Sequence, residues 1–526
     1  MNIAIIGGGL TGLTAAYELL KAGHQVTVFE KGNTLGGLAG GFTKPSWPAS
    51  NALRSNAGWK WNLEYFYHHF FTNDRALVSL AKELGLEKEM LILRPITATL
   101  ISENSEYSED QRIRGSENQI VRKSDNQNTQ KFRISEIPNL RRSEFSENSD
   151  VPSFLSFPNR IYQLDSPMNL LTFPLLSPID KLRTAALLAF CKACPDWIGV
   201  NPFWQPLEKI TAVTFFKTLG GTRAWETLWE PLMVGKFGDY AKDLPASWLW
   251  ARFHKRTMRL GYFRGGFRTF VDMLEKAIQK KKGTIIKNIQ VQSIIPVNGD
   301  PVVSVIPEAR RAIRDLSDPH IRFRIKSGMT KKESAIIFDK VLITIPSEQT
   351  VKLIQFPKPY DTQLHAINHL YAQTLILETK EPILDKTYWL NINDRSFPFI
   401  AVVAHTNMVD KKYYGGNHQT YIGNYLPDNH PYLKMTKQQL LKLFLPYLKK
   451  INPSINAQLI THNSQLFTVP NAQPVHTLNY SKKAPPLKTP VEGIYLANLD
   501  SIYPWDRGTN YAVELGQKAA RGMTNE

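Results

Sequence analysis

Cysteine is almost absent from this chain of 526 residues, which contains only Cys191 and Cys194. Two cysteines cannot build a disulfide framework, so a reducing, cytoplasmic compartment is the expected setting. Their CxxC spacing lacks the second pair of ligands that would complete a zinc site. A redox dithiol normally opens a helix, whereas this pair lies late in an apolar helical pattern. We therefore predict no metal site and disfavour a dithiol site.

Long hydrophobic runs are missing as well, since none reaches the roughly 20 apolar residues of a transmembrane helix. The chain enters a strand pattern almost at its first residue, without the basic segment and cleavage site of a signal peptide. The sequence thus predicts no transmembrane segment and no export signal. With 42% hydrophobic residues, the chain can still bury a sizeable core divided over two or more domains.

Acidic residues are the scarcer charged type, 46 against 64 lysines and arginines, which gives a formal net charge of +18. The basic residues form no cluster with interleaved aromatic residues, so nucleic acid is not a predicted partner. Diffuse positive charge is compatible with an anionic small-molecule substrate, with peripheral association at an anionic membrane, or with a merely basic surface. The sequence favours the last of these interpretations.

The most informative stretch is IAIIGGGLTGLTAAYELLKAGHQVTVFEK, which predicts a strand, a glycine turn, a helix and a second strand. In Gly7-x-Gly9-x-x-Gly12, the first glycine permits a tight turn, the second lets the backbone approach a pyrophosphate, and the third allows close helix packing. The N–H groups at the helix N-terminus favour phosphate. Glu30 ends the second strand, where a carboxylate accepts both ribose hydroxyls and disfavours a 2′-phosphate. The stretch predicts a dinucleotide site, and not one for NADP.

A second glycine doublet, Gly36-Gly37, follows directly in KGNTLGGLAGGF. A nicotinamide dehydrogenase needs no doublet at this point, whereas an extended cofactor that carries a flavin at its far end does. Lys31 and Leu38 flank the doublet and are further candidates for cofactor contacts. The spacing favours FAD over NAD, and a flexible glycine-rich loop is the alternative.

Near the C-terminus, GIYLANLDSIYPWDRGTNYAVELGQKAA predicts a strand, a loop and a helix that opens near Gly508. A helix N-terminus at this place can stabilise negative charge on the N1/O2 edge of a reduced flavin. Asp506 can also serve as a plain helix cap, and the two roles are compatible. The candidate cofactor residues of this segment are Asp506, Arg507, Gly508, Thr509, Asn510 and Tyr511.

These motifs resemble the FAD-dependent amine oxidase and protoporphyrinogen oxidase-like superfamily, which also includes phytoene desaturases and, more distantly, UDP-galactopyranose mutase. The resemblance extends through LGYFRGGFRTFVDMLEKAI, IIKNIQVQSI and VLITIP to most of the chain. It implies FAD as the cofactor, with the backbone of Val291 against the adenine and residues 506–511 along the ribityl chain and the flavin ring. It also implies an α/β fold, with a Rossmann-type FAD-binding domain and an α+β substrate domain that has a mixed sheet and a helical cap.

Two positions depart from the family pattern. Thr34 stands where an arginine usually precedes the glycine doublet, and Ala497-Asn498 replaces a glycine followed by an acid. These changes put individual phosphate and ribose contacts in question, but they leave the overall resemblance intact.

The expected domains are discontinuous. The FAD-binding domain comprises residues 1–75, 260–345 and 488–526, and the substrate domain comprises residues 76–259 and 346–487. Residues 101–152 and 306–333 are predicted insertions, disordered or looped, because their polar composition buries too little surface to offset the entropy of ordering. A shorter insertion is expected at 45–57. The first insertion interrupts a predicted hairpin between ITATL and NRIYQL.

Three residues are candidates for chemistry. His68 and His69, in WNLEYFYHHFFTND, resemble a phrase of the mutases in which a histidine lies by the flavin, so one of them could shuttle a proton or donate to substrate. Alternation along a strand lets only one of them face the flavin, and the phrase favours His68, with a partly buried structural histidine as the alternative. Arg264 in GYFRGGF could pair with a substrate carboxylate or phosphate, or could be a surface residue.

The leading hypothesis is an FAD-dependent oxidoreductase in which flavin N5 accepts hydride from a C–N, C–C or ring C–H bond of a small-molecule substrate. The alternative is a mutase or isomerase of the UDP-galactopyranose mutase type, which acts on an anionic nucleotide sugar without net redox change. A third hypothesis is a flavin-bearing binding protein without turnover.

Overall fold

The computed structural model describes residues 1–44, 58–102, 159–198, 201–297, 300–307, 334–455 and 464–525. The predicted insertions at 45–57, 101–152 and 306–333 lie outside these ranges, except for the first two residues of the latter two. The strands, in chain order, are β1 (Asn2–Ile6), β2 (Gln25–Glu30), β3 (Gly41–Phe42), β4 (Leu63–Glu64), β5 (Phe70–Phe71), β6 (Met90–Leu93), β7 (Ile96–Ser102), β8 (Asn159–Gln163), β9 (Trp197–Ile198), β10 (Asn201–Pro202), β11 (Leu260–Phe263), β12 (Thr284–Lys287), β13 (Ile289–Val297), β14 (Asp300–Pro307), β15 (Ser334–Ile337), β16 (Lys340–Ile343), β17 (His369–Thr379), β18 (Thr387–Ile392), β19 (Ala401–Ala404), β20 (His418–Leu426), β21 (Gln465–Pro474) and β22 (Ile494–Leu496).

Several α-helices begin at a side-chain cap. The Oγ atom of Ser177 accepts the Asp180 N–H at the start of the helix Pro178–Ala193, and Thr436 forms a capping box with Gln439 before the helix Lys437–Ile451. A π-helical segment, Trp225–Trp229, joins the helices Thr222–Ala224 and Glu230–Phe237. The helices are α1 (Leu10–Lys21), α2 (Arg75–Glu83), α3 (Pro167–Leu171), α4 (Pro178–Ala193), α5 (Ala212–Gly220), α6 (Thr222–Ala224), α7 (Glu230–Phe237), α8 (Ala246–Lys255), α9 (Phe267–Lys280), α10 (Ser347–Leu353), α11 (Lys358–His365), α12 (Lys437–Ile451) and α13 (Thr509–Thr524).

A five-stranded parallel sheet has the order β12-β2-β1-β16-β22. The central residues of its strands are mostly apolar and buried because both faces of the sheet are covered. Ile3 and Ile5 pack in a core shared with α1, α9 and α13, whereas Ala4 and Ile6 pack toward the antiparallel sheet β13-β14-β15. This arrangement confirms the predicted α/β fold with a Rossmann-type unit.

The first and last helices of that unit are in direct contact. A Cβ on Gly516 of α13 would stand 2.6 Å from the carbonyl oxygen of Thr11 and 2.8 Å from the Cβ of Thr14 in α1. Glycine at this position therefore allows the two backbones to approach closely.

A seven-stranded mixed sheet, β21-β17-β20-β19-β18-β7-β8, forms the second large layer. Its strands are antiparallel except for the parallel pair β18 and β7. α12 packs on one face of the sheet, and helices α3 to α8 enclose a separate, tryptophan-rich core. The predicted mixed sheet and helical cap are thus confirmed. The predicted hairpin is confirmed too, since β7 pairs with β8 and Ser102 stands opposite Asn159.

Candidate functional site

The two glycine turns lie against each other. The Gly36 N–H donates to the Gly8 carbonyl oxygen at 2.9 Å, and a Cβ on Gly37 would stand 3.2 Å from the Cα of Gly9. Gly36 and Gly37 have φ angles of 109° and 57°, in the region that favours glycine. The structure therefore brings the two predicted cofactor motifs to one place.

Space is left open at Gly9. A Cβ on Gly9 would meet nothing within 4 Å, whereas a Cβ on Gly12 would stand 2.1 Å from the Gly7 carbonyl oxygen. α1 begins here without a side-chain cap and without an acidic residue in its first turn. An uncapped helix N-terminus beside open space presents N–H donors to an anion such as a pyrophosphate.

Glu30 holds the first turn from the end of β2. Its Oε2 accepts the Gly8 N–H at 2.8 Å, and its Oε1 accepts the Gly32 N–H at 2.7 Å. The Asn288 N–H donates to the Gly32 carbonyl oxygen at 3.1 Å, which brings the start of β13 to this end of the sheet. Val291 is buried in β13, a few residues further along. Glu30 and Val291 thus belong to the same corner of the molecule.

The departure at Asn498 has a structural explanation. The buried side chain donates through Nδ2 to the Ile345 carbonyl oxygen at 3.1 Å and to Ser347 Oγ at 3.0 Å. Its Oδ1 accepts the Asp500 N–H at 3.1 Å. Asn498 therefore fixes the loops that follow β16 and β22. The nearby carboxylate, Asp500, is itself buried and lies 2.6 Å from His369 Nε2.

Asp506 does not cap α13, and its predicted role as a helix cap is wrong. The N-cap residue is Gly508, and no side chain caps the helix. Asp506 instead pairs with Lys236, at 3.0 Å between Oδ2 and Nζ, and with Arg252. Burial alone would raise the pKa of Asp506, but the charges of Lys236 and Arg252 hold it well below its usual value.

Three neighbours of Asp506 are engaged in packing. Thr509 is buried at the start of α13. Asn510 Oδ1 accepts the Leu77 N–H at 3.1 Å, and the Tyr511 ring stacks on Trp505 with 5.5 Å between centroids. These contacts fix the direction in which α13 begins.

Arg507 contacts Tyr425, to whose hydroxyl its Nη2 donates a hydrogen bond. Arg507 Nη1 donates to the Ala472 carbonyl oxygen at 3.3 Å, and the guanidinium lies 4.9 Å from the Tyr425 ring centre. Gly508 is exposed at the uncapped end of α13. Leu38, which follows the second glycine turn, packs in the same small apolar cluster as Tyr425. One cluster thus joins the glycine turns to the C-terminal segment, while Lys31 is exposed beyond Glu30.

His68 and His69 precede β5 and are not part of a strand, so strand alternation does not decide which of them faces a ligand. His68 Nδ1 lies 2.6 Å from the Phe66 carbonyl oxygen, which can only accept, so Nδ1 carries the proton and Nε2 is an acceptor. His69 Nδ1 lies 3.2 Å from the Tyr388 hydroxyl. Burial lowers the pKa of His68 to about 4 and that of His69 to about 3, so both are neutral near pH 7.

Arg264 lies at the surface, which is one of the two positions that the sequence analysis left open for it. Its side chain is exposed, and its backbone N–H donates to the Glu89 carbonyl oxygen at 2.8 Å. The structure does not place it among the other candidate residues.

The chain matches a known family profile over almost its whole length. Residues 10–524 match the family profile described as flavin-containing amine oxidoreductase. The chain belongs to this family. Membership confirms the predicted flavin cofactor, FAD, and the oxidoreductase class. The open space at Gly9, the uncapped start of α1 and the paired glycine turns fit such a cofactor.

Curated relatives of this family member include carotenoid desaturases. The zeta-carotene desaturases of Arabidopsis thaliana and Capsicum annuum are 26% and 33% identical over 236 residues, which is 44% of this chain but 32% and 30% of theirs. The match thus spans about a third of the length of these relatives. The 4,4′-diapophytoene desaturase of Staphylococcus aureus is 57% identical over 37 residues, 7% of each chain.

Solved structures share the fold over the whole chain. A protein assigned as a protoporphyrinogen oxidase from Exiguobacterium sp. 255-15 has a TM-score of 0.62 at 15% identity and covers 99% of this chain and 98% of its own. Cyclohexylamine oxidase from Brevibacterium oxydans IH-35A has a TM-score of 0.60 at 14% identity, with 100% and 98% covered. These matches do not support the nucleotide-sugar mutase alternative.

The described residues contain no group of three His, Cys, Asp or Glu side chains arranged to hold a metal ion. Among them, no helix is both long and apolar enough to cross a bilayer. Cys191 and Cys194 are free thiols, and burial raises the pKa of Cys191 to about 12, which is unsuited to a reactive dithiol.

Sequence reasoning missed a cluster of cations around Asp506. Lys236 lies at the end of α7 and Arg252 in α8, both in the helical cap. One signal in the sequence could have revealed the pair: Lys236 is the single charge in the apolar stretch PLMVGKF. A lysine is rarely buried unless it has a charged partner, so a partner for Lys236 was to be expected. Its partner is 270 positions away in the chain, so no local pattern could have identified the pair.

Proposed function

We propose that this protein is an FAD-dependent oxidoreductase that removes hydride from a carbon atom of a small organic substrate. When bound, the flavin supplies a hydride acceptor at N5. The observation that carries the proposal is the contact between the two glycine turns beside an open, uncapped helix N-terminus.

Different residues would bind different parts of the cofactor. The backbones of Gly9, Gly36 and Gly37 would hold the pyrophosphate, together with the first N–H groups of α1. Glu30 would accept the hydroxyls of the adenosine ribose, and the backbone of Val291 would lie against the adenine. Lys31 and Leu38 would flank the cofactor, and the segment 506–511 would follow its flavin end.

His68 would act at the flavin end as a hydrogen-bond acceptor. Its Nε2 is free of a proton because Nδ1 donates to the Phe66 carbonyl oxygen. Its low pKa keeps the ring neutral near pH 7, which suits the acceptance of a hydrogen bond and makes the ring a weak base for proton transfer.

The chain would divide into two discontinuous domains. The FAD-binding domain would comprise residues 1–75, 260–345 and 488–526, which contain every strand of the parallel sheet. The substrate domain would comprise residues 76–259 and 346–487, which contain the mixed sheet and the helical cap. The cation cluster would then lie where the two domains meet, since Lys236 and Asp506 come from different domains.

The substrate would be an anion. Lys236, Arg252 and Arg507 surround the single carboxylate of Asp506, so the site has more positive than negative charge. A negatively charged substrate group would balance that excess.

The protein would work in the cytoplasm, in keeping with its two free thiols. There it would associate with anionic membranes through one face of the helical cap. The exposed face of α4 is apolar along the helix, and we call it the α4 stripe; it comprises Ile179, Leu182, Ala186, Ala189 and Phe190. Basic side chains, Lys181, Arg183 and Lys192, flank the stripe. An apolar face with a basic rim suits the interface of an anionic bilayer.

The visible absorption spectrum of the purified protein tests the central proposal. We expect a two-banded flavin spectrum that bleaches with dithionite and FAD that is released on denaturation. A colourless protein that takes up no added FAD would overturn the proposal. Flavin that no organic donor reduces, in a protein that captures a specific partner, would favour the binding-protein hypothesis instead.

A further inference from the structure

The side chain of Lys236 lies inside a cage of aromatic rings. Its Nζ is 5.2, 4.9 and 5.1 Å from the ring centres of Phe237, Trp248 and Tyr425. Aromatic faces attract ammonium groups, and rings arranged in this way are a general means of binding a cationic nitrogen. Here the chain's own lysine occupies that position, with a side chain only 12% exposed. We call these four residues the Lys236 cage.

Positive charge exceeds negative charge beside the cage. Asp506 pairs with Lys236 and Arg252, and Arg507 is the next residue in the chain. When Lys236 is protonated, the cluster contains three cations and one carboxylate. This local excess of positive charge attracts an anion.

Two buried polar groups beside the cluster have no hydrogen-bond partner among the described residues. Both ring nitrogens of His476 are unpartnered although the residue is 1% exposed, and so is Nε1 of Trp248. The His476 ring packs against that of Tyr503, three residues before Asp506, with 5.1 Å between ring centres. Buried polar groups are almost always paired, so several unpaired groups at one place indicate that a ligand supplies the partner.

The cluster is partly open to solvent. The side chain of Arg252 is 42% exposed, and Gly508 is exposed at the uncapped end of α13. Arg252 is therefore the member of the cluster that a solute meets first.

We propose that Lys236, with Arg252 and Arg507, forms a carboxylate-binding subsite and excludes substrates that carry an ammonium group there. A carboxylate would accept hydrogen bonds from Lys236, Arg252 and Arg507. An ammonium would meet a cage that is already filled and two guanidinium groups that repel it. The inference rests on the proposed function for the position of the subsite beside the flavin, and it names the substrate class for that function.

Carboxylate binding is coupled to the protonation of Lys236. Burial lowers the pKa of Lys236 to about 7, and a bound anion favours its charged form. Above pH 7, binding must therefore take up a proton, and the dissociation constant rises about tenfold per pH unit. The other groups that face Lys236 do not titrate there: Asp506 has a depressed pKa, His476 has a pKa of about 4, and Arg252 and Arg507 stay charged.

Benzoate and benzylamine are matched probes, because they share a ring and carry opposite charges at pH 7. Each would be titrated into the flavin-loaded protein, with tryptophan fluorescence and flavin absorption as two separate readouts. The variants are Lys236→Met, Lys236→Arg and, as a matched control, Lys242→Met, which removes an exposed charge from the same cap.

We expect benzoate to bind the wild-type protein at least about tenfold more tightly than benzylamine. Lys236→Met should weaken benzoate binding by about tenfold or more, and Lys242→Met should leave it unchanged. Lys236→Arg should retain binding within about threefold and abolish its pH dependence between about pH 6 and pH 9, because arginine keeps its charge.

Three results would overturn the inference: benzylamine binding as tightly as benzoate, unchanged benzoate binding in Lys236→Met, or an unaltered pH dependence in Lys236→Arg. The arginine variant decides the matter even if the methionine variant does not fold. Fluorescence quenching by benzoate in a protein that binds no flavin would contradict the proposed function and support the subsite. Bound flavin without benzoate binding would contradict the subsite alone.

Discussion

At the scale of single residues, two glycines of the first turn are expected to affect the protein in different ways. Gly9 has ordinary extended backbone, with φ −75°, and open space at its Cβ position. We expect Gly9→Ala to leave the apoprotein's free energy of unfolding unchanged and to weaken FAD binding about tenfold or more, because the methyl group enters the pyrophosphate space. The flavin-to-protein ratio and the melting temperature of the apoprotein measure the two effects.

Gly12→Ala is the matched comparison. Its Cβ would stand 2.1 Å from the Gly7 carbonyl oxygen, so we expect a loss of roughly 1–3 kcal/mol in the free energy of unfolding of the apoprotein itself. If Gly9→Ala destabilised the apoprotein as much as Gly12→Ala, the assignment of open space to the cofactor would be wrong.

Glu64 makes stability depend on pH. It is buried, accepts the Phe267 N–H at 2.7 Å and the Tyr262 hydroxyl at 2.8 Å, and burial raises its pKa to about 7. Because the folded pKa exceeds the unfolded value, its contribution is fully present below about pH 4.5 and is lost as the pH rises through 7. We expect the free energy of unfolding to fall on the order of 3 kcal/mol across this window.

The Glu64→Gln variant checks that assignment, because its amide is neutral at every pH and can still accept the Phe267 N–H. Denaturant unfolding should show a flatter pH dependence between about pH 5 and pH 8 than in the wild-type protein. An identical pH dependence in both proteins would show that another group is responsible.

Local and distant pairings differ in how far the sequence predicts them. Gly7, Gly9 and Gly12 and the acid at 30 form one local pattern, so the turn, the helix and the strand follow directly from it. The pairing of Asp506 with Lys236 joins two distant segments, whereas the sequence offered a cofactor contact and a compatible helix cap for Asp506. Only the cap is ruled out, because the carboxylate is engaged in a tertiary contact that no local pattern contains.

At the scale of elements, two of the predicted insertions fall between paired antiparallel strands. Ser102 of β7 stands opposite Asn159 of β8, and Val305 of β14 stands opposite Ser334 of β15. The chain therefore leaves and re-enters each sheet at paired positions. Periodicity and turn signals predicted the first hairpin, whereas the placement of His68 before β5 depended on packing that no period specifies.

Replacing residues 103–158 with a short Asn-Gly turn tests the hairpin. Because the flanking strands are already paired in register, we expect the flavin-to-protein ratio to stay unchanged and the melting temperature to shift little. The same replacement at residues 308–333 is the control, since it also closes a paired hairpin. Loss of flavin in the first variant alone would mean that the segment contributes to the cofactor site.

At the scale of the whole molecule, the α4 stripe on the helical cap has a testable consequence. Of the cap residues, Ile179 and Leu182 are 61% and 66% exposed, and basic side chains adjoin them. We expect the protein to sediment with vesicles of phosphatidylcholine and phosphatidylglycerol more than with phosphatidylcholine alone, and Leu182→Glu to reduce that binding severalfold.

Ile295→Glu is the control for vesicle binding, because it places the same charge at an exposed apolar residue of β13, outside the cap. Equal loss of binding in both variants would mean that overall charge, and not the α4 stripe, controls association. A wild-type dimer that Leu182→Glu dissociates would assign the stripe to a second copy of the chain instead.

The contact between α1 and α13 has a consequence for biosynthesis. The ribosome makes the glycine turns first, but β22 and the helix that packs on α1 emerge about five hundred residues later. Until then, a nascent chain exposes the apolar flank of α1 and lacks the segment proposed to meet the flavin ring. We therefore expect stable loading of FAD to follow the synthesis of β22 and α13, and not to accompany that of the glycine turns.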